Sequence, residues 1–368
     1  MKILIISPQT WTNLYVSKQY YAIHLKKLGH EVFFLNPISS ILKKKFFFFK
    51  IKKEKNFGLN IIDLNIFCPL FIKTFLNFLY RIFLKFSIKA FQYITKLKFD
   101  LVWSFDEENY ETINYFDSKK KIIHIVDPIK NLKKFHESTN KIDLIVFISK
   151  LFKIKNKSKK NIIIPHGLNL YFLKQAKHKF YKDKKKLENI CLYGNFISGR
   201  FDLEKIKNII EKNNKLNFTF VGNSDANHPY KDFNSLNESL KIIQILRRKK
   251  NVKFIKKTKP ADLPYLINQQ DLFLTIPKKK YNVNAHKLLE IISTGKPMIS
   301  SIFDFYKNNI DLIYFPKNQS SEEFQILFDK ISKNYKKYFN KTLNLKRKKY
   351  ALKFNYDHHI KKILNELY

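Results

Sequence analysis

The chain has 368 residues, 45% hydrophobic and 16% aromatic, which excludes a disordered chain and allows two α/β domains with real cores. Seven glycines leave little room for Gly-rich phosphate loops, and two distant cysteines, Cys68 and Cys191, exclude a disulfide framework or a cysteine metal cluster and fit a reducing compartment. The formal net charge of +41 predicts attraction to polyanions: nucleic acid, an anionic membrane surface or an acidic acceptor. Lys, Asn, Ile, Phe and Tyr are all abundant, as in AT-rich coding sequence, which accounts for part of the lysine excess. There is no internal repeat.

Met1–Pro8 reads as a first strand rather than a signal peptide. A helix over Leu14–Leu28 stops at Gly29 and leads into a strand at Val32–Leu35, the opening βαβ of a doubly wound domain. No GxGxxG follows the first strand, so a dinucleotide site is unsupported. Trp11, in the turn that stands there instead, either stacks on a sugar or is a buried aromatic. Lys43–Lys50, with Lys52, Lys53 and Lys55, is a basic and aromatic segment. The helical stretch Leu70–Lys98 carries Lys73, Asn77, Arg81, Lys85 and Lys89 at four-residue spacing on an otherwise Leu/Ile/Phe helix. It is too interrupted by charge to span a bilayer. It reads as a membrane-surface element, with an ordinary domain helix as the alternative.

Further strands are expected at Asp100–Ser104, Ile122–Val126, Asp143–Ser149 and Asn161–Asn169. Asp127 and the Asp106–Glu108 group lie just past carboxyl ends of this sheet. They are candidates for a general base toward an acceptor hydroxyl, or simply cap helices and solvate loops. Lys-rich Leu170–Lys186 reads as a linker. A second α/β run has strands at Asn189–Asn195, Asn217–Asn223, Asn251–Ile255, Asp271–Ile276 and Met298–Ser300, and helices at Leu203–Ile210 and Ala261–Leu266. Between the last two strands, a helix over Ala285–Thr294 is closed by Gly295 and Pro297. Its N-terminus would leave the carboxyl end of the sheet, where open α/β sheets bind ligands and helix ends suit phosphate. Lys287 adds a point charge, and Glu290, three residues on, shares its face and can accept two hydrogen bonds from a ribose diol. The alternative is an exposed ion pair. Glu322–Leu327 begins a terminal helical section, and Tyr350–Leu367 is a final helix.

Lys287, Glu290, Gly295, Lys296 and Pro297 resemble, in register, the nucleotide-sugar motif of GT-B glycosyltransferases of the group 1, family-four-like class. Tyr193-Gly-Asn195 with Arg200, the Leu263-Pro-Tyr265 helix, the strand from Asp143 and the Asn161–Asn169 strand are similar to further motifs of that class. Asn282 stands where many relatives place an acid, and Val126 where many place a histidine before the aspartate. The resemblance implies two Rossmann-like doubly wound domains facing a central cleft. Residues 1–170 would be the acceptor domain, with 41–98 facing a membrane, 171–349 the donor domain, and 350–368 a helix returning to the first domain. Donor contacts would come from Gly194, Asn195, Gly222, Ile255, His286, Lys287 and Glu290. Catalytic roles would fall to Asp127, Arg200 and Lys287.

The expected activity is transfer of a sugar from a nucleotide-diphosphate donor to a glycan or lipid-linked acceptor in bacterial polysaccharide or lipopolysaccharide synthesis, at the inner face of the cell membrane. No Asp-x-Asp and no metal-ligand spacing occur, so the expected leaving-group aid is fixed positive charge, with no cofactor and no metal. Nucleic acid is disfavoured as a partner, because no helix-turn-helix, RRM or KH pattern is visible. The competing readings are a nucleotide-sugar epimerase and a basic nucleic-acid- or membrane-binding protein on a degenerate GT-B fold.

Overall fold

The structure is a computed structural model that describes residues 1–12, 15–40, 47–68, 72–106, 109–129, 131–152, 160–177, 181, 183–226, 234–256, 258–278, 286–301, 306, 309 and 311–368. The chain forms two compact units, Met1–His166 with Tyr356–Tyr368, and Gly167–Asn355. The boundaries expected from sequence fall after residues 170 and 349.

Unit 1 runs β1 (Lys2–Ile6), α1 (Ser17–Lys27), β2 (Glu31–Leu35), β3 (Ser39–Ser40), β4 (Phe49–Lys53), β5 (Asn60–Ile66), α2 (Ile72–Phe75), α3 (Asn77–Thr95), β6 (Phe99–Ser104), α4 (Thr112–Tyr115), β7 (Ser118–Ile125), α5 (Leu132–Ser138), β8 (Leu144–Phe147) and β9 (Asn161–Ile163). The near-continuous apolar runs, such as Ile3–Ile6 and Leu144–Phe147, are buried residue after residue, as parallel strands covered on both faces require. The strand order is β3-β5-β2-β1-β6-β7-β8-β9, all parallel, with β4 antiparallel to β5. Strand β5 was not anticipated from the sequence. The direction of winding reverses beside β1, between β2 and β6, the topological switch point of a Rossmann-type sheet. Gly29, with φ 87°, ends α1 in the left-handed region that a side chain would strain.

Unit 2 begins with α6 (Leu170–Lys177), the stretch expected to be a linker. The correction has a packing cause: Phe172, Leu173 and Ala176 bury one side of this short helix against the unit's own core. Then come β10 (Asn189–Asn195), α7 (Leu203–Lys212), β11 (Asn217–Asn223), α8 (Leu236–Arg247), β12 (Val252–Ile255), α9 (Leu263–Asn268), β13 (Leu272–Thr275), α10 (His286–Ser293), β14 (Met298–Ser300), α11 (Ser321–Lys333), α12 (Tyr335–Tyr338) and α13 (Lys341–Leu352). Five parallel strands lie in the order β12-β11-β10-β13-β14, with the switch point between β11 and β13, at β10. Successive β10 residues point to opposite faces. Ile190 and Leu192 join a core with Ile206, Ile243, Phe324 and Phe328 from α7, α8 and α11. Cys191 joins the other core, with Phe172, Leu288, Ile291, Ile292 and Ala351 from α6, α10 and α13.

The final helix expected over Tyr350–Leu367 is two helices. Helix α13 ends at Leu352, and α14 (Tyr356–Leu367) belongs to unit 1. No proline or glycine breaks it. Leu168 N–H donates to the Phe354 carbonyl at 2.6 Å, and Asn355 forms a β-bridge with Leu168, so tertiary pairing takes the backbone groups a continuous helix would need. Helix α14 packs on α1, with Tyr20 and Tyr21 against Tyr356, and His24 Nδ1 lies 2.6 Å from Asp357 Oδ1.

Candidate donor site in the second unit

The carboxyl tips of β10 and β11 approach more closely than side chains allow. Gly194 and Gly222 are in register. A Cβ on Gly222, whose φ is 129°, would lie 1.9 Å from the Gly194 carbonyl oxygen, and one on Gly194 would lie 2.3 Å from the Phe201 ring. Neither backbone oxygen nor φ can relax cheaply. Gly222→Ala should therefore cost about 2 kcal/mol or more of stability, read as a lower urea midpoint. A wild-type midpoint would contradict this packing. Between these tips, Asn195 Oδ1 accepts from Asn223 Nδ2 at 3.2 Å.

The loop leaving β10 is stitched to the loop leaving β13. Asp202 N–H donates to Ile276 O and Lys278 N–H to Arg200 O, both at 2.8 Å, and Phe201 bridges Pro277. These bonds hold the Arg200 backbone at the carboxyl ends of the two strands that flank the crevice. The Arg200 side chain is exposed. Helix α10 connects the parallel strands β13 and β14, so its N-terminus lies at this same edge. The residues before His286, including Asn282 and the helix start expected at Ala285, lie outside the described residues.

Glu290 on α10 is buried, at 4% exposure, and so is no partner in an exposed ion pair. Asn169 explains how it is held. Asn169 Oδ1 accepts from Tyr171 N–H and Phe172 N–H, at 3.0 and 3.1 Å, capping α6. With its oxygen committed, the amide presents Nδ2 to Glu290 Oε1 at 2.5 Å. Glu290 Oε2 is buried and takes no hydrogen bond among the described residues. Burial pushes the Glu290 carboxyl up to about 7, against the opposing pull of Asn169, Tyr193 and Lys287.

Lys287 is half-buried, with Nζ over the Tyr193 ring at 5.1 Å from its centroid, a cation–π contact that places the ammonium. Burial lowers its pKa; Glu290 raises it and the Arg200 charge lowers it further. Unit 2 therefore brings together Gly194, Gly222, Asn195, Lys287, Glu290 and the Arg200 segment. His286 is half-buried at the start of α10, and Ile255 half-buried at the end of β12, two strands from β10. Neither Asn169 nor Tyr193 has a site role expected from the sequence, although Tyr193 stands in one of the motifs that carry the resemblance. Their signals were an Asn directly before an apolar helical run, and an aromatic beside the glycine of a strand tip.

In unit 1, Asp127 is exposed two residues past β7, and Asp106 binds the Asn109 backbone and amide in a turn. Glu107 and Glu108 lie outside the described residues. Trp11 is half-buried, edge-on to Phe34 at 4.8 Å. Among the described residues no group of three His, Cys, Asp or Glu is placed to hold a metal ion.

No protein-family model matches the chain. The alpha subunit of DNA-directed RNA polymerase from Euglena longa is 29% identical over 218 residues, 55% of this chain and 97% of that subunit. In a chain so dominated by Lys, Ile, Asn and Phe, that identity over about half the length assigns no family. Solved structures match across the whole chain. A trehalose-6-phosphate structure from E. coli bound with UDP-2-fluoro glucose superimposes with a TM-score of 0.68 at 12% identity, covering 100% of this chain and 99% of that one. Sucrose-phosphate synthase from Thermosynechococcus elongatus gives 0.69 at 12%, covering 100% and 98%. HepE from Anabaena, in complex with UDP and glucose, gives 0.69 at 12%, covering 99% of each.

The fold is GT-B. In this GT-B chain each unit carries its own Rossmann-type sheet, and the Lys287–Glu290 helix lies at the switch point of the second. At such low identities the likeness establishes the fold alone, and the chemistry rests on the side chains just described.

Proposed function

We propose that this chain is a glycosyltransferase that moves a hexose from a nucleotide-diphosphate sugar to a glycan carried on a membrane lipid. The observation that carries it is the buried Glu290 carboxylate with one oxygen unmet, held by Asn169 beside the Lys287 ammonium at the carboxyl-end crevice. A buried acceptor atom without a partner costs roughly 1–3 kcal/mol, and hydroxyls of a ligand would recover it. A ribose diol supplies such hydroxyls. Lys287, Arg200 and the α10 N-terminus then offset the charge of the departing diphosphate, the part of the transition state that needs most stabilisation. Fixed cations take that role in this reading, without a metal. Asp127 is its acceptor-side carboxylate, and Gly194, Asn195, Gly222, Ile255 and His286 complete its donor surface.

Two of the similar structures hold UDP or a UDP-sugar, which supports a uridine donor. Synthesis of cell-surface polysaccharide or lipopolysaccharide at the inner face of a bacterial membrane is the setting this reading takes. The test is a thermal-shift series with UDP-, GDP- and CMP-linked sugars, since a ligand that binds only the folded state raises Tm by mass action. A rise of several degrees with a UDP-sugar, reduced in Glu290→Gln, is expected. No rise with any of the three classes would sink the proposal.

A further inference from the structure

Helix α3 turns an apolar face outward. Tyr80, Leu84, Ile88 and Phe91 are buried and anchor it to unit 1, where Phe91 meets Phe49 of β4 edge-on at 5.3 Å. On the other side Phe78 is 74% exposed, Phe86 67% and Tyr93 86%, with Leu79 and Ile82 also exposed. At 3.6 residues per turn these five positions fall within an arc of about 100° opposite the buried stripe. Phe75, at 80%, and Leu76 extend the patch just ahead of the helix. Contiguous exposed apolar surface of this kind marks an interaction site.

The surrounding charge selects the partner. Between Asp63 and Asp100 the chain has six basic residues and no carboxylate. Arg81 and Lys85 lie on one flank of the apolar arc, and Lys89 falls just inside its edge. Arg81 and Lys89 lie near Glu111 and Asp117, at 3.5 and 2.6 Å, whereas Lys85, Lys96 and Lys98 are exposed. Through Phe49 the helix is joined to β4, whose Lys50 and Lys53 are also exposed, while Lys52 pairs with Asp63 at 2.9 Å. The Lys73 side chain lies outside the described residues. A second copy of this chain would bring the same +41 charge to the contact, which opposes self-association. An anionic bilayer offers apolar depth and negative headgroups together, matching an aromatic face edged by lysines. Among the described residues no helix is long and apolar enough to cross a membrane.

We propose that the outward face of α3 is a docking surface for an anionic lipid bilayer, with Phe78, Ile82 and Phe86 inserted and Lys85 at the headgroups. It deepens the lipid-carried acceptor reading, yet donor binding is a separate measurement, so either can fail alone. The test is co-sedimentation of the full chain with vesicles of phosphatidylglycerol and phosphatidylethanolamine, against phosphatidylcholine vesicles. Partition at least tenfold higher onto the anionic vesicles is expected, falling with added salt. The triple variant Phe78→Ser, Ile82→Ser, Phe86→Ser should lose at least tenfold of that partition while its melting temperature and UDP-sugar binding stay unchanged. Should the triple variant fold poorly, Phe78→Trp gives an independent reading: its fluorescence should shift to the blue on anionic vesicles. Equal partition onto both vesicle types, no blue shift, or a concentration-dependent dimer in light scattering that the triple variant abolishes would overturn the proposal.

Discussion

Lys287→Ala should lower kcat/KM for the nucleotide-sugar donor by about a hundredfold, and by tenfold at least, with the fold intact. The ammonium is half-buried over Tyr193 and lies within electrostatic reach of both Arg200 and Glu290. A cation already desolvated and fixed does not have to reorganise when charge builds on a leaving diphosphate, and removing one such preorganised group typically costs about 2.7–4 kcal/mol of transition-state stabilisation, the lower end being about a hundredfold. The loss should appear mainly in kcat, because the charge it meets is greatest in the transition state. The variant should keep its circular dichroism, since Leu288, Leu289, Ile291 and Ile292, not Lys287, bury the helix. Wild-type kcat/KM in a folded Lys287→Ala protein would remove the site from consideration.

Glu290 should make donor binding and stability respond to pH in opposite directions. Its carboxyl is raised from 4.5 to about 7, chiefly by burial. Its stabilising contribution is therefore fully present below the unfolded pKa and is lost as pH rises through 7, a loss of about 3 kcal/mol for the ligand-free protein. A ribose diol needs the ionised carboxylate as acceptor. Donor affinity should then rise toward pH 7, by up to tenfold per pH unit below it, and level off above. Glu290→Gln keeps the shape, and its amide oxygen can still accept, but it does not titrate in this range. Its donor affinity should be weaker above pH 7 and nearly flat from pH 5.5 to 8.5, and its stability should no longer fall across that window. Calorimetric titration at four pH values checks the first expectation and urea unfolding the second. A wild-type protein with pH-independent donor affinity would contradict the assignment of Glu290 to the diol.

Much of unit 2 is legible from local pattern alone. Strands β10, β11 and β14 have the predicted bounds, and α10 ends before Gly295 as its cap residues require. The register Gly194 opposite Gly222 is another matter. The two glycines are 28 positions apart, and nothing local says that one Cβ would strike the other's carbonyl. The Asn169–Glu290 bond spans 121 positions, and it makes a residue that reads as the end of a strand into the helix cap that orients the site.

The outward face of α3 shows the same division. A helix with apolar residues on nearly every side contains two or three equivalent candidates for the buried stripe, and periodicity cannot choose among them. Contacts with Phe49 and the rest of unit 1 chose the Tyr80–Leu84–Ile88–Phe91 side and left the Phe78–Ile82–Phe86 side to solvent. By itself the sequence determined the alternation of strands and helices, the charge, and the Lys287–Glu290 spacing, because these depend on neighbours within a turn or two. Only the tertiary structure decided which oxygen of Glu290 goes unmet, which aromatic carries Lys287, and where the last helix breaks, because each depends on a contact between residues distant along the chain.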